Sequence, residues 1–186
     1  ERITQNRIVA LFRDTLGYRY LGHWQDALRS SPIEEDRLRE SLHQRGYESH
    51  VIDEAIRQLK SAAENQTVNL YERNKHVYDL LRYGVKVRPQ MGEHHITVWL
   101  IDWKDVRANT FAIAEEVTVI GKHTKRPDIV LYVNGIAVGV LELKRSVVSV
   151  SEGIRQNLDS QRPEFIQSFF STMQFIMAGN DTEGLR

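Results

Sequence analysis

The sequence has no cysteine. That excludes a disulfide framework and thiolate metal sites, and it fits a reducing cytoplasm as the expected location. Nor does one sign of charge prevail: 25 basic and 25 acidic residues give a formal net charge of zero. Contact with nucleic acid then has to come from local patches rather than from a field over the whole molecule. No apolar run approaches the length that crosses a bilayer and no secretory signal is visible, so no membrane partner is expected. Internal repeats and low-complexity tracts are missing; Leu16-Gly17-Tyr18 and Arg45-Gly46-Tyr47 look alike only because both mark helix ends. A phosphate loop is missing too, since Gly121-Lys122-His123 lacks both the upstream glycine and the following hydroxyl.

What is present suits an ordinary globular chain: 41% hydrophobic and 27% charged over 186 residues, enough for one domain or a domain with a helical appendage. The first third reads as helical. Ile8, Val9, Leu11, Phe12 and Leu16 share a face up to Gly17; Ser31-Pro32-Ile33-Glu34 announces a second helix with an N-cap, a proline at the first position and a capping-box acid. Ser49 caps a third, with Val51, Ile52, Ala55, Ile56 and Leu59 as its buried stripe. The polar run from Ser61 to Thr67 is a linker, which divides the chain into a helical region, 1–66, and a core, 67–186.

A further amphipathic helix is expected over Val68 to Tyr83, where packing is the simplest role for Tyr71, Tyr78 and Tyr83. The period then changes to that of strands at Val85 to Val87, Ile96 to Ile101 and Phe111 to Ile120. A helix capped by Ser149 or Ser151 runs towards Phe170 with a break near Pro163, and Met173 to Ala178 reads as a buried strand. This order suits an α/β sheet with helices on both faces. His94-His95 has no partners at ligand spacing and reads as loop; Trp99 and Trp103 read as core or its rim.

The chemistry lies in RPDIVLYVNGIAVGVLELKRS, two β-prone runs, Asp128 to Val133 and Ile136 to Lys144, around Asn134-Gly135. Glu142 and Lys144, two apart, share a strand face while Leu143 turns the other way. Asp128, Glu142 and the Leu143 carbonyl are oxygen donors of the kind a hard cation such as Mg²⁺ takes, with Lys144 beside them to orient or help deprotonate an attacking water. Turn geometry decides whether the two acids meet. A two-residue turn with a regular ladder pairs Asp128 with Leu141 and puts the carboxylates on opposite faces; a three-residue loop with Gly135 in a bulge pairs Asp128 with Val140 and puts them on one face. The bulged turn is the expectation.

These residues resemble the PD-(D/E)xK nuclease fold, in the form found at the N-terminus of the motor (R) subunit of type I restriction enzymes. Pro127-Asp128 and Glu142-Leu143-Lys144 carry the resemblance, with Gly84-Val85, Leu100-Ile101-Asp102-Trp103 and Asn109-Thr110-Phe111 leading in, and Met173-Gln174-Phe175 and Gly179-Asn180-Asp181-Thr182 leading out. It implies a restriction-endonuclease-like core, αβββαβ with a mixed sheet flanked by helices. It implies Asp128, Glu142 and Lys144 as catalytic residues, with the two acids as metal ligands on one or two Mg²⁺ ions, cutting duplex DNA. It further implies ATP-driven translocation by motor domains beyond Arg186, the only route by which ATP is a cofactor, and methyltransferase and specificity subunits as partners.

Many relatives in the resembling family carry a Gln-x-x-x-Tyr element on the next helix; here Gln156 is followed at the fourth position by Ser160, so Gln156 alone inherits a place near the site or the DNA. An acid from the first core helix, Glu1, Glu72 or a neighbour, completes the family pattern. Lys122, His123, Lys125, Arg126 and Arg145 form a basic group that could grip phosphates, though a charge cluster in a loop is also an ordinary solvated surface. The competing readings are a DNA-binding or assembly module that keeps the fold without catalysis, for which the absent tyrosine speaks, and a stand-alone repair nuclease.

Overall fold

The computed structural model of the chain describes residues 2–89, 92 and 94–186. Helix α1 (Arg2–Ala10) widens into a π-type turn at Leu11–Thr15 and stops at Gly17, whose φ of +72° suits a residue without a Cβ. Strand β1 (Arg19–His23) follows within the stretch that reads as helical from sequence. It lies at an edge of the sheet and is mostly exposed, so its apolar alternation is too weak to announce it.

Helix α2 (Glu35–Gln44) starts later than Ser31-Pro32 suggests. Ser31 Oγ accepts from the Ile33 N–H at 3.1 Å, Ile33 bridges to Ile136, and the Glu34 N–H donates to Gly135 O at 2.8 Å. The segment thus clamps the later hairpin before the helix begins. Helix α3 (Ser49–Ala63) buries the stripe expected of it, and α4 (Leu70–Tyr83) is capped by Asn69, whose Oδ1 accepts from the Glu72 N–H at 2.9 Å. Tyr71, Tyr78 and Tyr83 do not pack into the core; all three are exposed, because Arg73, Val77 and Leu81 form the inner face. Trp99 and Trp103 sit at the rim and His94-His95 in a loop. Strands β2 (Val85–Val87) and β3 (Ile96–Val98) make a small antiparallel pair of their own.

Among the described residues the main sheet has the order β1-β4-β5-β6-β7-β8, with β4 at Phe111–Glu115, β5 at Ile129–Val133, β6 at Ile136–Leu143, β7 at Phe175–Asn180 and β8 at Gly184–Leu185. Strands β4, β5 and β6 are antiparallel neighbours, β1 runs parallel to β4, and β7 runs parallel to β6. Helix α5 (Val150–Ser160) is the crossover that the parallel β6–β7 pair requires. The result is the expected α/β architecture, a mixed sheet flanked by helices. Strand β4 is shorter than its apolar run because Glu116 adopts a left-handed φ of +48° and ends the ladder.

One sheet face presents Ala112, Ala114, Val130, Tyr132 and Val140 to Trp24, Phe169 and Phe170; the opposite face presents Ile113, Ile129, Leu131 and Leu141 to Val9 of α1. A third cluster joins α2, α3 and α4 to the hairpin end through Ile136 and Val138. Among the described residues no helix is long and apolar enough to cross a membrane.

The hairpin turn differs from the one expected. Val133 pairs with Ile136, leaving Asn134 (φ +52°) and Gly135 (φ +86°) as a two-residue turn. Positive φ at both positions is what an Asn-Gly pair favours, and this local preference overrides the three-residue loop. The bulge falls further along: Tyr132 pairs with Ala137 but Leu131 pairs with Gly139, so Val138 is the extra residue. From there Ile129 pairs with Leu141, and one step on Asp128 lies across from Glu142 rather than Val140. The acids share a face after all, by a bulge in β6 and not in the turn.

Candidate active site

Pro127-Asp128 leads into β5 at the end of the sheet where β6 finishes with Leu143, one residue before Lys144. The Asp128 side chain is buried, and its Oδ2 accepts the Leu143 N–H at 2.6 Å. Since N–H and C=O of one strand residue leave on the same edge, the Leu143 carbonyl is also turned towards the β5 side. Glu142 is only 2% exposed. Its carboxyl is pushed well above the usual carboxylate range, first by burial and then by the negative charge of Asp128 and hydrogen bonding to it; Lys144 and Gln156 pull it partly back. Lys144 Nζ lies 3.8 Å from Glu142 Oε2, a loose ion pair.

Helix α5 supplies the rest. Gly153 allows its close approach, since a Cβ there would stand 2.9 Å from Ala178 Cβ and 3.6 Å from the Lys144 side chain. One turn later Gln156 reaches both charged groups: its Nε2 donates to Glu142 Oε2 at 2.8 Å and its Oε1 accepts from Lys144 Nζ at 2.5 Å. Ser160 is buried and turned back on its own helix, donating to Gln156 O at 2.8 Å. It therefore offers the site no side chain.

The basic residues divide. Arg126 Nε pairs with Glu116 at 2.7 Å, and the Glu116 N–H donates to the backbone Asp128 O at 2.8 Å, so this pair is joined to Asp128 through the main chain. Lys125 is drawn away over the Phe165 ring, 4.0 Å from its centroid. Arg145 follows Lys144 on the surface. Glu1 lies outside the described residues, and Glu72 sits in the first turn of α4, which packs on α3 and on the 3₁₀ helix Gln167–Thr172 rather than on the acids. Among the described residues no set of three or more His, Asp or Glu side chains gathers as a metal site. Glu116 was not singled out by sequence; only its left-handed φ and its bond to Asp128 mark it.

Two buried carboxyls face each other here, and burial together with the charge of Asp128 favours the protonated form of Glu142. Both can ionise together only against added positive charge, and Lys144 at 3.8 Å supplies part of it. The donors within reach, two carboxylates and a strand carbonyl, are all oxygen, which fits Mg²⁺ and not a softer ion.

All of residues 1–186 match the family model described as the type I restriction enzyme R protein N terminus. Among curated proteins, the chain is 34% identical over 103 residues to a putative type I restriction enzyme MjaVIIP endonuclease subunit of Methanocaldococcus jannaschii, covering 54% of this chain and 9% of that protein. It is 39% identical over 90 residues to the type I restriction enzyme HindI endonuclease subunit of Haemophilus influenzae, covering 46% of this chain and 8% of that protein. The chain thus spans less than a tenth of the length of these relatives.

Proposed function

Because the chain belongs to the family of type I restriction enzyme R protein N termini, we propose that it is the DNA-cleaving part of such a subunit, hydrolysing phosphodiester bonds with Mg²⁺. The relatives named as endonuclease subunits support this. The observation that carries it is the buried Asp128–Glu142 pair, a costly arrangement in a protein that never binds a cation there.

Asp128, Glu142 and the Leu143 carbonyl would hold the metal. When bound, the ion polarises a phosphoryl oxygen and lowers the pKa of water beside it. Asp128 is fixed for this by the Leu143 N–H, and Glu142 by the Gln156 amide. Lys144, held by Gln156 Oε1, offsets negative charge developing on the phosphate and orients the attacking water from Nζ. In the full-length protein this cutting is coupled to ATP-driven translocation of double-stranded DNA, in a complex with methyltransferase and specificity subunits.

The test uses the full-length subunit assembled with those partners. Asp128→Ala, Glu142→Ala and Lys144→Ala are each expected to lose DNA cleavage while ATP turnover continues. Undiminished cutting by all three would leave the domain a binding or assembly module.

A further inference from the structure

At the same end of the sheet, a polar cleft opens between α1, β1 and β4, on the face that packs against α1 and opposite the one from which Glu142 meets α5. Arg2, His23 and Arg126 line it together with the amide side chains of Gln5, Asn6 and Gln25. The two acids in its wall are already engaged: Glu115 accepts from Tyr20 Oη at 2.6 Å and Gln5 Nε2 at 2.9 Å, and Glu116 pairs with Arg126 at 2.7 Å. Arg126, the Gln5 amide and the Tyr20 hydroxyl are spent on those acids, which leaves Arg2, His23 and the amides of Asn6 and Gln25 as the donors in the wall that can meet phosphate oxygens.

Strand order sets its distance from the candidate chemistry. β1 runs parallel to β4, with His23 opposite Glu115, and β4 is antiparallel to β5. The C-terminal ends of β1 and β4 thus lie beside the start of β5, where Asp128 stands. Two strand spacings separate β1 from β5, about 10 Å. Glu116 adds a second observation. It is a non-glycine residue at φ +48°, a strained conformation, held by its N–H bond to Asp128 O and its ion pair to Arg126.

We propose that this cleft anchors the DNA backbone about 10 Å to the side of the scissile phosphate, with Arg126 as an exchangeable ligand that leaves Glu116 for a phosphate oxygen when DNA arrives. The proposal rests on the nuclease reading above.

The experiment uses the full-length subunit with its partner subunits in EDTA, where no cutting occurs, and duplex DNA carrying a photoreactive group on backbone phosphorothioates. Cross-linked peptides containing Gln25 or Arg126 are expected. Arg126→Ala lowers their yield about tenfold, as for loss of a hydrogen bond to a charged group. His23→Ala lowers it too, and Arg57→Ala, a surface change on α3, leaves it unchanged. Glu116→Gln, which frees Arg126, raises it. Opposite signs at Glu116 and Arg126 separate a phosphate ligand from a pair that only holds the fold. Absence of cross-links in these peptides, or a change of the same sign in both variants, overturns the proposal. The nuclease reading fails by a different result, cleavage by Asp128→Ala at the parent rate, which the cross-linking does not measure.

Discussion

Gln156 donates from Nε2 to Glu142 Oε2 at 2.8 Å, so the orientation of an acid on β6 depends on an amide from α5. The same amide receives Lys144 Nζ, and one side chain spaces the carboxylate from the ammonium. Gln156→Met, which keeps the bulk but not the hydrogen bonds, is expected to cut DNA about tenfold more slowly in the full-length subunit, with ATP turnover kept. Gln156→Glu should be slower still, because it sets a third carboxylate against Glu142. Parent-level cleavage by the methionine variant would reduce Gln156 to a packing residue.

The buried acid pair gives the metal-free protein a pH dependence. Glu142 is raised from its ordinary 4.5 to about 8 by burial and by the charge of Asp128. The folded state therefore keeps a proton that the unfolded chain releases. Stability from this group is full below pH 4.5 and is lost as pH rises towards 8. Glu142→Gln cannot ionise and escapes the loss. In EDTA its melting temperature should exceed the parent's at pH 8 and come close to it at about pH 5. Added Mg²⁺ should raise the parent's melting temperature at pH 8 and leave that of the variant nearly unchanged. A parent no more sensitive to pH than the variant contradicts this account.

The bulge at Val138 sets which face Glu142 occupies. Side chains alternate along a strand, so removing one residue turns everything beyond it over. Deleting Val138 is expected to put Glu142 and Lys144 on the face opposite Asp128 and to abolish cleavage. Val138→Ala trims the same side chain but keeps the count, and should still cut. Cleavage by the deletion variant would mean that another register restores the pair.

That bulge also marks where sequence reasoning stops. Asp128, Glu142 and Lys144 were legible because charged residues at the ends of apolar strands need a reason, and Asn134-Gly135 fixed a turn between them. The need for an odd residue was legible too, but not its place: Val138 is one valine among several in an unbroken apolar run. The stripe of α3 and the stop at Gly46 follow from local periodicity and backbone preference, and the structure keeps both. β1 and the late start of α2 depend on partners distant in sequence, Ala112 and Ile113 for the one and Ile136 for the other. No local pattern encodes them.

The hairpin's hold on α2 can be measured through its glycine. Gly135 has φ +86°, and a Cβ there would stand 2.7 Å from Glu34 O and 2.9 Å from Leu38 N, both backbone atoms that cannot swing aside. Gly46 has a similar φ of +83° but nothing within 4 Å. Left-handed strain alone costs roughly 1–2 kcal/mol, and that is the loss expected for Gly46→Ala in urea unfolding. Gly135→Ala adds the forced retreat of α2 from the turn and should lose roughly 1–3 kcal/mol more, the usual cost of overpacking. Equal losses at the two positions would mean that α2 moves freely against the hairpin, and that the Glu34–Gly135 bond does little to fix the turn from which β6 carries Glu142 to Asp128.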